Sequence, residues 1–187
     1  MDMPEIIETE RLLLVKPEQK FALAQEIFAA VEISRATLRQ WLPWVDATLS
    51  PDDEYSSYLL NYCAANWQKH SGFPYIIRLK DTNDFIGSVD LMGADDKHHK
   101  GEIGYWLCDN AVGHGYMQEA VLALEKTGFA QGLNRIVIKN DTRNLRSVNV
   151  AKRCGYHLDG VLRQDRWSEY SKMFVDTNVF SKLKSEA

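Results

Sequence analysis

At 187 residues, with 45% hydrophobic and 26% charged side chains, the chain has the size and composition of one globular domain, residues 1–187, with a sizeable core. Its formal charge of −4 excludes a generic polyanion binder, because no basic stripe is available for nucleic acid, and any anion site must be local. Cys63, Cys108 and Cys154 lack C-x-x-C spacing, no apolar h-region follows Met1, and no uncharged apolar run approaches the ~18 residues of a membrane span. The expectation is a cytoplasmic protein without disulfides or membrane segments.

In chain order, "RLLLV" (Arg11 to Val15) predicts a first strand, and Pro17 suits the start of a helix carrying Phe21, Leu23, Ala24, Ile27 and Phe28. A second short helix is expected over Ser34 to Trp41. Ser50 followed by Pro51, Asp52, Asp53 and Glu54 is a strong helix start, because a hydroxyl cap, a preset φ and early acids all favour a helix N-terminus; this helix should run to His70. "PYIIRLK", "FIGSVDLM" and "GEIGYWL", separated by polar turns, read as an antiparallel meander. Met117, Ala120, Val121, Leu124 and Gly128 then recur at helical spacing over Tyr116 to Phe129, followed by the β-branched run "RIVIKN". A strand, a glycine turn, a helix and a neighbouring strand make a right-handed βαβ unit. A helix over Asn144 to Cys154 and strands "YHLDGVLRQ" and "VDTNVFSKL" close an α+β chain with a mixed sheet.

Gly113 and Gly115, just before the Tyr116 helix, support two readings. They form an ordinary turn, or they bare backbone N–H groups so that a phosphate can rest on the helix end. A dinucleotide-binding G-x-G-x-x-G reading is weaker, since Gln118 stands where the third glycine is needed. His98 and His99 have no third ligand at metal spacing, so no metal is expected.

"EIGYWLCDNAVGHGYMQEAV" resembles the acetyl-CoA-binding segment of GCN5-related N-acetyltransferases (GNATs). "NLRSVNVAKRCGYHLDGVLR" resembles the segment that follows it in the ribosomal-protein-serine acetyltransferase (RimL-like) group, and "RLLLV" and "LRQWLPWV" fit as well. The resemblance implies a single GNAT-fold domain: a mixed, mostly antiparallel sheet, splayed at the acetyl-CoA site and flanked by helices. It implies acetyl-CoA as cosubstrate, bound by the loop Val112, Gly113, His114, Gly115, Tyr116 and Met117, by Asn144, and by a backbone N–H at Trp106 or Leu107. Val112 and Met117 depart from the usual ends of that loop, Arg or Gln and Ala or Gly. The stretch from Arg163 to Asp176 is longer than is usual for the group.

The chemistry implied is acetyl transfer to a primary amine. An α-amine has a pKa near 8, so one carboxylate acting directly or through water suffices as base. Glu102 is the first candidate and Asp90 the second; a solvated strand-edge glutamate is the bland alternative for Glu102. Ser147 matches a serine whose hydroxyl lies near the CoA sulfur, although Asn144 as a helix cap and Ser147 in its first turn account for the same residues structurally. Trp41, Trp44 and Tyr105 are expected along the acceptor cleft, and Arg143, Arg146, Lys152 and Arg153 on a solvated face that can meet the CoA 3′-phosphate. The acceptor expected is a protein N-terminus, with a homodimer compatible. The alternatives are a small-molecule amine, antibiotic or aminoacyl-nucleotide acceptor, and a non-catalytic acyl-CoA-binding module.

Overall fold

The structure is a computed structural model describing residues 1–187. A hairpin of β1 (Ile6–Glu8) and β2 (Leu12–Val15) opens the chain. Next comes α1 (Phe21–Leu38), which buries Leu23, Ala24, Ile27, Val31, Ser34 and Leu38 along one face. No glycine or proline interrupts this stretch, so the expected second helix at Ser34 does not exist: Ser34 to Leu38 are the last turns of α1. The chain then makes a 3-10 turn over Pro43–Asp46, held under α1 by the Arg35 guanidinium, which donates to the carbonyls of Val45 and Thr48.

Ser50 caps the next helix by accepting from the Asp53 N–H, and Asp53 accepts in return from the Leu49 N–H at 3.0 Å. That helix has three parts: α2 (Pro51–Asp53), a π-helical segment Glu54–Ala64, and α3 (Ala65–Lys69), ended by His70 in the left-handed region at φ 53°. The meander follows as β3 (Gly72–Leu79), β4 (Phe85–Asp95) and β5 (Lys100–Leu107). Then come α4 (Tyr116–Ala130), β6 (Arg135–Asp141), α5 (Leu145–Arg153), β7 (His157–Ser168) and β8 (Met173–Leu183).

One eight-stranded sheet results, in the order β1-β2-β3-β4-β5-β6-β8-β7, and only β5 and β6 run parallel. Alternation along β4 divides its side chains between two layers. Leu91 faces α4, where Gly128 lets the helix approach Leu91, Leu133 and Ile136 closely. Ser88 and Asp90 face the π-helical segment, with the Tyr58 hydroxyl 3.0 Å from Ser88 Oγ. The hairpin of β7 and β8 carries a bulge within the stretch expected to be longer: β7 advances from Leu162 to Arg166 while β8 advances only from Thr177 to Val175. The end of this hairpin meets the 3-10 turn, and Arg39, Pro43, Asp46, Glu169, Tyr170 and Lys172 line a cleft of about 580 Å³ between them.

Candidate active site

The sheet opens where β5 and β6 part. Their pairing runs from Lys100 with Arg135 to Glu102 with Val137 and then stops, while β5 stays paired to β4 as far as Leu107. This is the expected splay. In an antiparallel ladder, N–H groups alternate between the partner strand and the opposite side. The Cys108 N–H donates to the Ile86 carbonyl at 2.9 Å, so the Trp106 N–H also turns toward β4, and those of Tyr105 and Leu107 point into the gap. Of the two backbone donors expected there, Leu107 has the right orientation and Trp106 does not.

Beyond β5 the chain turns through Gly113, at φ 92°, and Gly115, at φ 78°, a left-handed region that favours glycine; Gly115 is the N-cap of α4. The N–H groups of Gly113, His114, Gly115, Tyr116, Met117 and Gln118 donate to no protein acceptor. No side chain caps the helix, and a Cβ at Gly113 would meet nothing within 4 Å. A concave run of free donors at the positive end of a helix is what an anionic diphosphate group fits. Val112 is exposed and Met117 buried, so both departures from the usual loop are in side chains and leave the backbone donors untouched.

Across the gap, Asn144 caps α5, its Oδ1 accepting from the Ser147 N–H at 3.1 Å, so the structural role expected for it is present and its amide NH2 remains free. Ser147 Oγ lies 3.0 Å from the Tyr105 hydroxyl, and Tyr105 also reaches the Ser147 carbonyl at 3.2 Å. Tyr105 therefore joins Ser147 on the α5 side of β5 and does not belong to the tryptophan-lined face expected for it. Burial raises its hydroxyl pKa to about 12, so it stays protonated and can donate.

The even-numbered residues of β5 face the other layer. There the Trp106 ring packs on Trp44 at 5.8 Å and on Phe85 at 5.7 Å, while Trp41 lies in the turn after α1, outside that cluster. Asp90 lies opposite Gly104 and accepts from Ser88 Oγ at 2.7 Å. Burial pushes its carboxyl up to about 6, against the pull of hydrogen bonds from Ser88 and Tyr62. Glu102, the last residue paired across the splay, forms an ion pair with Lys139 of β6 at 2.8 Å, with about a third of its side chain exposed. Both candidate carboxylates thus share one face. The expected phosphate-facing arginines are partly committed elsewhere: Arg143 is tied to Asp141 at 2.7 Å, and Arg146 reaches Asp109 across the gap at 4.0 Å. No group of three His, Cys, Asp or Glu side chains is placed to hold a metal.

Residues 11–157 match the acetyltransferase (GNAT) domain family. The chain belongs to the GNAT acetyltransferase family. It is an N-acetyltransferase, and acetyl-CoA is its cosubstrate. This GNAT protein is 29% identical over 180 residues to the uncharacterized N-acetyltransferase YoaA of Bacillus subtilis, covering 96% of this chain and 97% of the relative. It is 26% identical over 152 residues to the ribosomal-protein-serine acetyltransferase of Escherichia coli, covering 80% of this chain and 81% of the relative. In fold it is similar to the RimL ribosomal L7/L12 alpha-N-protein acetyltransferase in complex with coenzyme A, with TM-score 0.87, 24% identity and coverage of 96% and 98% of the two chains. It is also similar to the microcin C7 self-immunity acetyltransferase MccE in complex with acetyl-CoA and AMP, with TM-score 0.84, 24% identity and coverage of 94% and 93%.

Five site-side residues of this GNAT chain, Thr9, Arg11, Tyr58, Ser88 and Glu119, have no role that the sequence alone reveals. Glu119 accepts from Thr9 Oγ1 at 2.6 Å and from Arg11 Nε at 2.7 Å, which ties α4 to the β1–β2 turn. Tyr58 and Ser88 form a hydrogen-bonded chain that ends on Asp90. Each contact joins residues far apart in sequence or hidden by strand alternation, and only the S-V-D spacing of Ser88 and Asp90 gives any local signal.

Proposed function

We propose that this acetyltransferase acetylates the N-terminal amine of a protein in the cytoplasm. The observation carrying the reading is the run of free N–H groups from Gly113 to Gln118 opening beside the splay between β5 and β6. That run takes the pyrophosphate, and the gap takes the pantetheine arm, with the free Asn144 amide NH2 directed at its amides. Acetyl-CoA supplies the activated acetyl thioester. The Leu107 N–H polarises its carbonyl, because a preorganised donor stabilises charge that develops there in the transition state. Ser147, bonded to Tyr105, gives its proton to the departing thiolate. Glu102 takes the proton of the amine, with Asp90 as the neighbouring carboxylate of the same face. Trp44 and Trp106 form the acceptor wall, without Trp41. The likeness to a ribosomal-protein-serine acetyltransferase over most of the chain supports a protein N-terminus as acceptor.

CoA release measured with a panel of amines tests this reading. Peptides with free Ser or Ala N-termini should give the highest kcat/KM, and the same peptides N-blocked should give none. A small amine or an aminoacyl nucleotide that outperforms every peptide would replace the acceptor class and keep the acetyltransferase. Acetyl-CoA binding without CoA release in any case would point to a non-catalytic acyl-CoA-binding module.

A further inference from the structure

We propose that Arg11 is a positioning residue for acetyl-CoA: it clamps the Gly113–Gly115 loop in the one orientation that presents the loop N–H groups to the pyrophosphate. The inference rests on the reading of that loop as the pyrophosphate cradle. Arg11 lies in the turn between β1 and β2, far in sequence from the loop. Its Nη1 donates to the His114 carbonyl at 3.0 Å. Its Nε donates to Glu119 Oε2 at 2.7 Å, Nη2 stands 2.6 Å from the same oxygen, and its backbone N–H donates to Oε1 at 2.9 Å. The guanidinium also lies over the Tyr116 ring, 4.7 Å from its centroid, and that ring stacks on His114 at 5.3 Å and 15°. One side chain therefore grips the loop carbonyl, the loop aromatics and the first turn of α4.

The consequence follows from peptide geometry. In a trans peptide the C=O and the following N–H point in opposite directions. Holding the His114 carbonyl against Arg11 turns the Gly115 N–H away from Arg11, where it joins the free N–H groups of Tyr116 and Met117. Flipping the His114–Gly115 peptide turns ψ of His114 and φ of Gly115, and the glycine offers little resistance, because glycine populates both signs of φ readily. The carbonyl would then face the phosphate in place of the donor. Glu119 is in turn fixed by Thr9, and although burial opposes it, the hydrogen bonds from Thr9 and Arg11 hold its carboxyl below the usual range, so the clamp stays charged at neutral pH. Nε, Nη1 and Nη2 of the guanidinium all have protein partners, which favours positioning over direct capture of phosphate. Val112 leaves the loop's own first position without a cation, so nothing local substitutes for the clamp.

The experiment compares the wild-type protein with Arg11→Met and Arg11→Lys, using acetyl-CoA and S-acetylpantetheine, which lacks the pyrophosphate. Arg11→Met should raise the Kd and KM for acetyl-CoA about 10- to 100-fold, the range for a lost charge-assisted hydrogen bond, with kcat at saturation nearly unchanged. Kinetics with S-acetylpantetheine should not move. Arg11→Lys should fail to rescue, because an ammonium cannot hold Glu119 and the His114 carbonyl in a planar fork, and the salt dependence of acetyl-CoA binding should stay as in wild type. Thr9→Val, which loosens Glu119 and leaves Arg11 intact, should shift the acetyl-CoA KM in the same direction by less. Full rescue by lysine, with a flattened salt dependence in Arg11→Met, would make Arg11 a plain phosphate cation and overturn the clamp. Equal losses with both thioesters would reduce it to general stability. A wild-type protein that binds the two thioesters equally would instead remove the pyrophosphate cradle itself.

Discussion

At the scale of single residues, the departing thiolate sets the tightest requirement, because it leaves better when a proton is waiting. Ser147 and Tyr105 form the hydrogen-bonded pair nearest that path in the proposed mechanism. Ser147→Ala should lower kcat by about 10²-fold or more while acetyl-CoA binding changes little, since a general acid acts mainly in the transition state. The helix cap is unaffected, because Asn144 bonds the Ser147 backbone N–H and not its hydroxyl. Steady-state turnover beside equilibrium CoA binding checks this, and intact turnover would leave Ser147 only its place in the first turn of α5. Ser147 was a candidate only through the resemblance of its N-x-x-S segment to the RimL-like group, and its pairing with Tyr105 had no signal in the sequence at all. Which face Tyr105 takes, and which way the Trp106 N–H points, depends on strand register, and a slip of one residue reverses both. Arg11 and Glu119 were invisible for another reason: they lie 108 positions apart, and nothing local marks them as partners.

At the scale of elements, the helix from Pro51 to Lys69 was legible at its ends, where Ser50, the early acids and His70 mark it, and not in its middle. A π-helical segment carries no distinctive composition, and such segments concentrate at functional sites. Here it presents Tyr58 to the sheet and buries Glu54 and Cys63, with the Glu54 Oε2 without a partner. Burial pushes the Glu54 carboxyl up to about 7 from 4.5. The unfolded chain loses that proton first, so between those values the folded state holds more protons and its stability falls as pH rises. Asp90, raised to about 6 by burial on the facing strand, adds in the same sense. Glu54→Gln should therefore raise stability at about pH 8 by on the order of 1–3 kcal/mol and change little near pH 4.5. Thermal melts at both pH values measure the difference, and a variant less stable at the higher pH would show that Glu54 has a cation or donor that holds its charged form. The short β1 and the uninterrupted α1 were missed because three residues give no periodicity to read, and because helix continuity is settled by packing.

At the scale of the whole molecule, the sheet consists of two antiparallel parts, β1 to β5 and β6 with β8 and β7, joined along three residue pairs that end at Glu102 and Val137. Glu102 stands at the point where the parts separate, and its ion pair with Lys139 crosses the gap. The same residue is therefore a bridge and the first candidate base, and the two roles predict different outcomes. Both side chains are partly exposed, so the bridge contributes no more than about 1 kcal/mol to stability. Glu102→Gln should consequently melt close to wild type and bind acetyl-CoA normally, while turnover at neutral pH falls by roughly 10²- to 10⁴-fold, the contribution of a positioned base. Its rate should recover as pH approaches the amine's own pKa, about 8 for an α-amine, because free amine then needs no proton acceptor. Lys139→Met separates the roles: it removes the bridge, keeps the carboxylate, and should leave turnover at or above the wild-type level, since an unpaired carboxylate is the better base. If Glu102→Gln is fully active and Asp90→Asn is not, with an acid limb near the value of about 6 to which burial raises Asp90, the proton goes to Asp90 and Glu102 keeps only the bridge.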